Sequence, residues 1–248
     1  MNLEQKQALV SYLGQFLTDH RRALIDHVMS QRTRHISVLL ENIYQPHNAS
    51  AVLRSSDCFG VQDVHIIEEI NEYRVNPDIA LGAWKWLSLH RYNEPAVNNT
   101  AASFMALKEQ GYKILATTLR PESRSLLDVD VTQKMVLCFG TEDTGLSETA
   151  HELADEFVTI PMYGFTQSYN ISVSAALCLF ELTKRLRESE VDWSLTAVEK
   201  TDLLVDWYVN SATKGNALVR HFCRQHDIEI EERWFDDEDE EDENDKAG

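Results

Sequence analysis

The chain predicts an α/β protein with a mostly parallel sheet and helices on both faces, and three observations carry that prediction. Short apolar runs rich in β-branched residues alternate with longer stretches of helical periodicity. Polar clusters follow directly after three of the runs, where open parallel sheets bind ligands. The length of 248 residues, 43% of them hydrophobic, suffices for one large domain with helical additions.

Residues 3–30 read as one or two amphipathic helices. Leu9, Leu13, Phe16 and Leu17 share one face, as do Leu24, Ile25, Val28 and Met29. His35–Glu41 reads as the first strand. Asn48–Cys58 reads as a helix that Gly60 stops. Val64–Ile67 is a second strand and Ser88–Tyr92 a weaker third. Asn98–Glu109 is helical and ends at Gly111. Lys113–Thr118, Met135–Phe139 and Phe157–Ile160 are short strands, the last closed by Pro161. Ile171–Arg187 is a long apolar helix with Lys184, Arg185 and Arg187 in its last turn, where cations suit the helix dipole. Two further helices fall near 195–210 and 212–225. The expected organisation is an N-terminal helical extension (1–34), an α/β domain (35–188), a C-terminal helical extension (189–228) and an acidic tail (229–248).

The net charge of −18 argues at first against a nucleic-acid partner. Its distribution softens that. Glu229–Gly248 holds twelve acidic and two basic residues, leaving −8 on the first 228. Such a carboxylate run repels itself and is expected to be a disordered, solvated tail. Basic residues concentrate in the flanks, at Arg21, Arg22, Arg32, Arg34, Lys214, Arg220 and Arg224. They read equally well as solvated surface charge or as RNA contacts. No apolar run is long enough to span a bilayer, and the first residues lack a signal-peptide pattern, so a cytoplasmic location is expected. Cys58, Cys138, Cys178 and Cys223 form no C-x-x-C pair and read as buried free thiols.

Several chemistries lose support by absence. There is no G-x-G-x-x-G after a strand, no P-loop, no G-x-S-x-G elbow and no H-E-x-x-H. What remains is three polar strand-end segments: Asn42–Asn48 with Arg54 six residues later, Phe139–Leu146, and Ile160–Asn170. Each has a plain structural explanation. Asn48 could cap its own helix, and Asn170 or Ser172 the next. Arg54 could be a surface arginine. Asp143-Thr144-Gly145 could be a tight turn before a helix capped by Ser147.

Together the three segments read N-x5-R, F-G-x-E-x-x-G-L and I-P-M-x-G-x-x-Q-S-x-N-I-S-V-S-x-A. That combination resembles the SPOUT superfamily, and within it the TrmH-type tRNA/rRNA 2'-O-ribose methyltransferases. The third motif is the most specific, and the 26 residues from Glu142 to Ser168 fit the family. The resemblance covers residues 35–188.

The resemblance implies a C-terminal trefoil knot, a rare exception to unthreaded chains. It also implies a homodimer and S-adenosylmethionine as cofactor, with no metal. Thr117, Gly140, Ile160, Ser168 and Tyr169 would hold the cofactor. Asn48, Arg54, Glu142, Ser168 and Asn170 would form the catalytic set. Arg54 would stabilise the developing alkoxide and hold phosphate, or else abstract the proton directly. Arginine hardly ever loses its proton, which favours the first role. Glu142 and Asn170 would orient Arg54 or the backbone around it. The expected reaction is 2'-O-methylation of guanosine 18 in tRNA. The alternatives are a 23S rRNA target and a catalytically silent RNA-binding protein. The first 34 residues are too short for the separate RNA-binding domain that rRNA relatives often carry. One departure from the family is Ile79–Trp86, where small residues are usual.

Overall fold

The computed structural model describes residues 1–70, 73 and 76–235. Residues 236–248, most of the acidic tail, lie outside the described residues. The chain divides into two compact units. One is Arg32–Ser194, and the other combines Met1–Gln31 with the described residues from Leu195 onward.

The larger unit is built on parallel strands: β1 (Ile36–Glu41), β2 (Asp63–Ile67), β3 (Ser88–Tyr92), β4 (Lys113–Thr117), β5 (Arg124–Ser125), β6 (Met135–Phe139) and β7 (Glu156–Thr159). They form one sheet in the order β3-β2-β1-β6-β4-β7-β5, and every neighbouring pair is parallel. The two-residue β5 was not expected, because it is too short to show a pattern. Strand alternation sends side chains to both faces. Val38, Leu40, Leu137 and Phe139 pack under α3 (Pro46–Phe59) and α7 (Ile171–Glu188). Leu39, Val136 and Cys138 pack under α5 (Asn99–Glu109) and α6 (Glu148–Leu153). Both faces are covered, as the near-continuous apolar strands require. A short α4 (Pro77–Ala80) lies in the segment that departs from the family pattern.

The order also locates the site. From β1 the chain builds outward through β2 to β3, then returns to the other side, where β6 separates β1 from β4. Open parallel sheets bind ligands beside such a reversal, beyond the strands' carboxyl ends.

The smaller unit contains α1 (Leu3–Leu13), α2 (Asp19–Met29), α8 (Ala197–Ser211) and α9 (Gly215–Gln225), with α1 packed on α8 and α9. Asn2 opens α1 with a capping box, and Thr196 does the same for α8. Leu9, Leu13, Leu17, Ile25 and Met29 are buried as the periodicity requires, but Phe16 and Leu24 are exposed. Phe16 instead meets Tyr12 edge-on at 5.2 Å. The cysteine expectation needs one correction. Cys138, Cys178 and Cys223 are buried, but Cys58 lies on the solvent side of α3.

Candidate active site

The carboxyl ends of β1, β6, β4 and β7 stand side by side, and a loop leaves each of them. The loops after β4, β6 and β7 enclose a cavity of about 640 Å3. It is larger than two charged surface clefts of about 430 and 460 Å3 elsewhere.

After β1 the chain enters α3 with Gln45 as N-cap and Pro46 in the first turn. Pro46 is pre-set for that position and has no N–H to lose. Asn48 therefore does not cap its helix. Its buried side chain is left to bond elsewhere. Asn170 does cap α7, accepting from Ser172 N at 2.9 Å and Ser172 Oγ at 2.5 Å. With Oδ1 so engaged, Asn170 Nδ2 donates to Asn48 Oδ1 at 3.1 Å. Asn48 Nδ2 then donates to the Glu142 carboxylate. The cap fixes both amide orientations, because each amide has one donor end and one acceptor end. Three residues far apart in sequence thus form one directed chain of hydrogen bonds.

The loop after β6 is held by its glycines. Thr141 and Gly145 exchange two backbone hydrogen bonds of 3.0 Å each. Gly145 has φ +71°, a conformation that glycine adopts without steric cost. A Cβ on Gly140 would lie 2.1–2.2 Å from backbone atoms of Gly145 and Leu146. Only glycine fits that crossing, and it folds the loop so that Glu142 faces the cavity.

The cavity wall includes all five residues expected to bind cofactor: Thr117, Gly140, Ile160, Ser168 and Tyr169. Glu142 and Asn170 line it too, and Asn48 supports both through its hydrogen bonds. Arg54 does not line the cavity. It lies exposed on α3 and makes no hydrogen bond or ion pair among the described residues. Its expected pairing with Glu142 and Asn170 is replaced by that of Asn48. The wall also contains Thr118 and His151, which sequence reading missed. No motif spacing marks them: Thr118 follows β4 and His151 stands within α6, outside the three polar segments.

Cys178 lies deep in the wall, and burial pushes its thiol up to about 12. Burial also raises Cys138, with Glu41 adding repulsion. Both stay neutral near pH 7, so neither is a thiolate nucleophile. The flanking basic residues divide. Arg32 is buried against Asp57, Arg34 pairs with Asp63 at 3.3 Å, and Arg22 pairs with Asp19. Arg32 is thereby a structural ion pair and no surface for RNA.

The profile of the SpoU rRNA Methylase family matches residues 35–180. The chain is 42% identical over 199 residues to a Borreliella burgdorferi protein named tRNA (guanosine(18)-2'-O)-methyltransferase, covering 80% of this chain and 89% of that protein. It is 38% identical over 168 residues to a protein of the same name from Thermus thermophilus, covering 68% and 84%. Among solved structures, the A. aeolicus TrmH/SpoU tRNA modifying enzyme superposes with a TM-score of 0.69 at 30% identity, covering 77% of this chain and 96% of that one.

Proposed function

The chain belongs to the SpoU rRNA Methylase family, and on that premise we propose that it methylates the ribose 2'-oxygen of guanosine 18 in tRNA, using S-adenosylmethionine. The observation that carries this reading is the chain Asn170–Asn48–Glu142 at the rim of the cavity. It sets amide and carboxylate groups where a ribose would meet the cofactor.

The cavity suits the cofactor in size and lining. It lies within the range of small-molecule sites, and its wall mixes apolar side chains with backbone and hydroxyl groups. Gly140 keeps the wall open at a point where any side chain would strike the loop. Thr117, Gly140, Ile160, Ser168 and Tyr169 would hold the cofactor, which supplies a methyl group on a good leaving group. The remaining work is alignment of the 2'-oxygen with that carbon. Asn48 and Glu142 supply one donor and one acceptor system locked in orientation, so little reorganisation accompanies ribose binding. Arg54, exposed and unpaired among the described residues, is available to the RNA phosphate and to the developing alkoxide.

The same reading extends to assembly and threading. The exposed face of α7 presents Val173, Leu177 and Phe180, spaced four and three residues apart on one stripe. We propose that this stripe packs against a second copy in a homodimer. The strand order supports a knotted C-terminal half. β7 lies between β4 and β5, although the short segment 118–123 joins those two strands directly. No helix among the described residues is long and apolar enough to cross a membrane, and the proposed place of action is the cytoplasm.

Incubation with labelled S-adenosylmethionine and bulk tRNA tests the function. Label in tRNA, lost when guanosine 18 carries a 2'-deoxyribose, is the expected result. Label in rRNA alone overturns the tRNA assignment. Binding of the cofactor without any transfer overturns the enzyme.

A further inference from the structure

Glu41 ends β1, the strand beside the sheet's reversal, and it is almost wholly buried at 1% exposure. A buried carboxylate is costly unless every oxygen is satisfied. Here both are. Oε1 accepts from Thr100 Oγ1 at 2.5 Å and from Ser147 Oγ at 2.7 Å, and Oε2 accepts from Ser147 N at 2.8 Å.

Ser147 is the N-cap of α6, and its Oγ accepts from Ala150 N at 3.1 Å. Its carbonyl accepts from His151 Nδ1 at 3.0 Å. A carbonyl cannot donate, so that nitrogen carries the proton. In the neutral ring His151 Nε2 is then the acceptor for the Thr118 hydroxyl at 3.3 Å. Thr118 and His151 both line the cavity, and Ser147 closes the loop that presents Glu142. One buried carboxylate thus fixes the far end of the Glu142 loop and, through Ser147, the part of the wall formed by His151 and Thr118.

We infer that Glu41 is a positioning residue for the cofactor cavity, acting through Ser147 on the Glu142 loop and on the His151–Thr118 wall. The inference rests on the cofactor reading above. Glu41 touches no reactant. Its effect belongs in cofactor affinity, because the groups it sets line the cavity. Thr100 draws on the same carboxylate from α5, no residue of which lines the cavity, and serves as the control.

The test compares Glu41→Leu, Glu41→Gln, Ser147→Ala and Thr100→Val in the full chain. S-adenosylmethionine binding is followed by calorimetry, KM and kcat by methyl transfer, and folding by thermal unfolding. Glu41→Leu strands the Ser147 N–H and hydroxyl, and a rise of about tenfold in both Kd and KM is expected. Glu41→Gln keeps an acceptor for Ser147 N–H and can donate to the hydroxyls, so it should restore both to within about threefold. Ser147→Ala should give an intermediate rise and still answers the question if Glu41→Leu does not fold. Thr100→Val should lower the unfolding temperature and leave Kd and KM unchanged. Equal Kd for the wild type, Glu41→Leu and Ser147→Ala overturns the inference. So does a Thr100→Val variant that shifts Kd as far as Glu41→Leu. Failure of the wild type to bind S-adenosylmethionine overturns the cofactor reading instead.

Discussion

Asn48 accepts a hydrogen bond of 3.1 Å from Asn170, 122 residues further along the chain, and passes the interaction on by donating to Glu142. The bond joins the first turn of α3 to the cap of α7, and α3 and α7 pack against each other along their length. The site is therefore anchored on two helices, and the Glu142 loop joins them through Asn48.

Asn48→Asp should cost more than Asn48→Ala. The aspartate keeps the acceptor toward Asn170 but places a second carboxylate against Glu142. Like charges at that separation repel, so either one takes up a proton or the loop moves away. A loss of about 100-fold in single-turnover methyl transfer is expected for Asn48→Asp, with a smaller loss for Asn48→Ala. Asn48→Asp activity should partly recover as pH falls and the carboxylate pair shares a proton. A pH-independent defect equal in both variants counts against this reading.

Gly140→Ala should damage both stability and cofactor affinity. Its Cβ would overlap the Gly145–Leu146 backbone at 2.1–2.2 Å, so the loop itself must shift. Overpacking of this kind costs about 1–3 kcal/mol. Thermal unfolding together with a binding titration checks the two effects. Gly164→Ala, which meets no atom within 4 Å, is the matched control.

The sheet was legible because its strands are short apolar runs bounded by turns, and the three motif segments marked the strand ends where the cavity lies. Asn170 shows why a structural and a functional reading need not compete: its Oδ1 caps α7 while its Nδ2 enters the site. The resemblance implies Arg54 in the catalytic set beside Glu142 and Asn170, but a motif does not say which way a helix face turns. Six residues beyond Asn48, the helix has carried Arg54 to the solvent side. Glu41 and His151 were illegible for another reason. Their partners are fixed by sheet order and by the α6 cap, and no local pattern records either.

Arg54→Ala should abolish transfer while leaving cofactor affinity within about twofold, because Arg54 is not part of the cavity wall. Arg54→Lys should recover little, since a point charge does not reproduce the two-pronged hold of a guanidinium on phosphate. Calorimetry with S-adenosylmethionine, alongside transfer assays on tRNA, separates the two properties. A collapse of cofactor affinity would move Arg54 to the cofactor side.

His65 should weaken the fold in mild acid. It is buried on β2 beside β3, stacked on His90 at 4.6 Å, with Nδ1 near the Tyr92 hydroxyl at 3.2 Å and Nε2 without a partner among the described residues. Burial, then repulsion from His90, depresses its pKa to about 3. Above the unfolded value of about 6.5 the group is neutral in both states and adds no pH dependence. Below it the unfolded chain binds a proton that the folded chain refuses, so stability falls as pH drops from about 6.5 toward 3. His65→Phe removes this contribution. Between pH 7 and 5 it should lose about 2 kcal/mol less than the wild type, read from urea midpoints. Parallel losses in both proteins would show that other groups carry the acid limb.

Removing residues 236–248 deletes nine acidic residues and one basic residue, a net change of eight units toward positive charge. Phosphate binding is driven by cations and opposed by carboxylates nearby, and salt screens both. The truncated protein should bind tRNA more tightly at low salt, by about three- to tenfold. The difference should shrink as ionic strength approaches about 0.5 M, where screening acts over only a few ångströms. Cofactor affinity should not change, because the cavity wall lies wholly within residues 117–178. Filter binding across a salt series checks the claim. A truncated chain that binds tRNA more weakly would mean that the carboxylates support the RNA-binding surface.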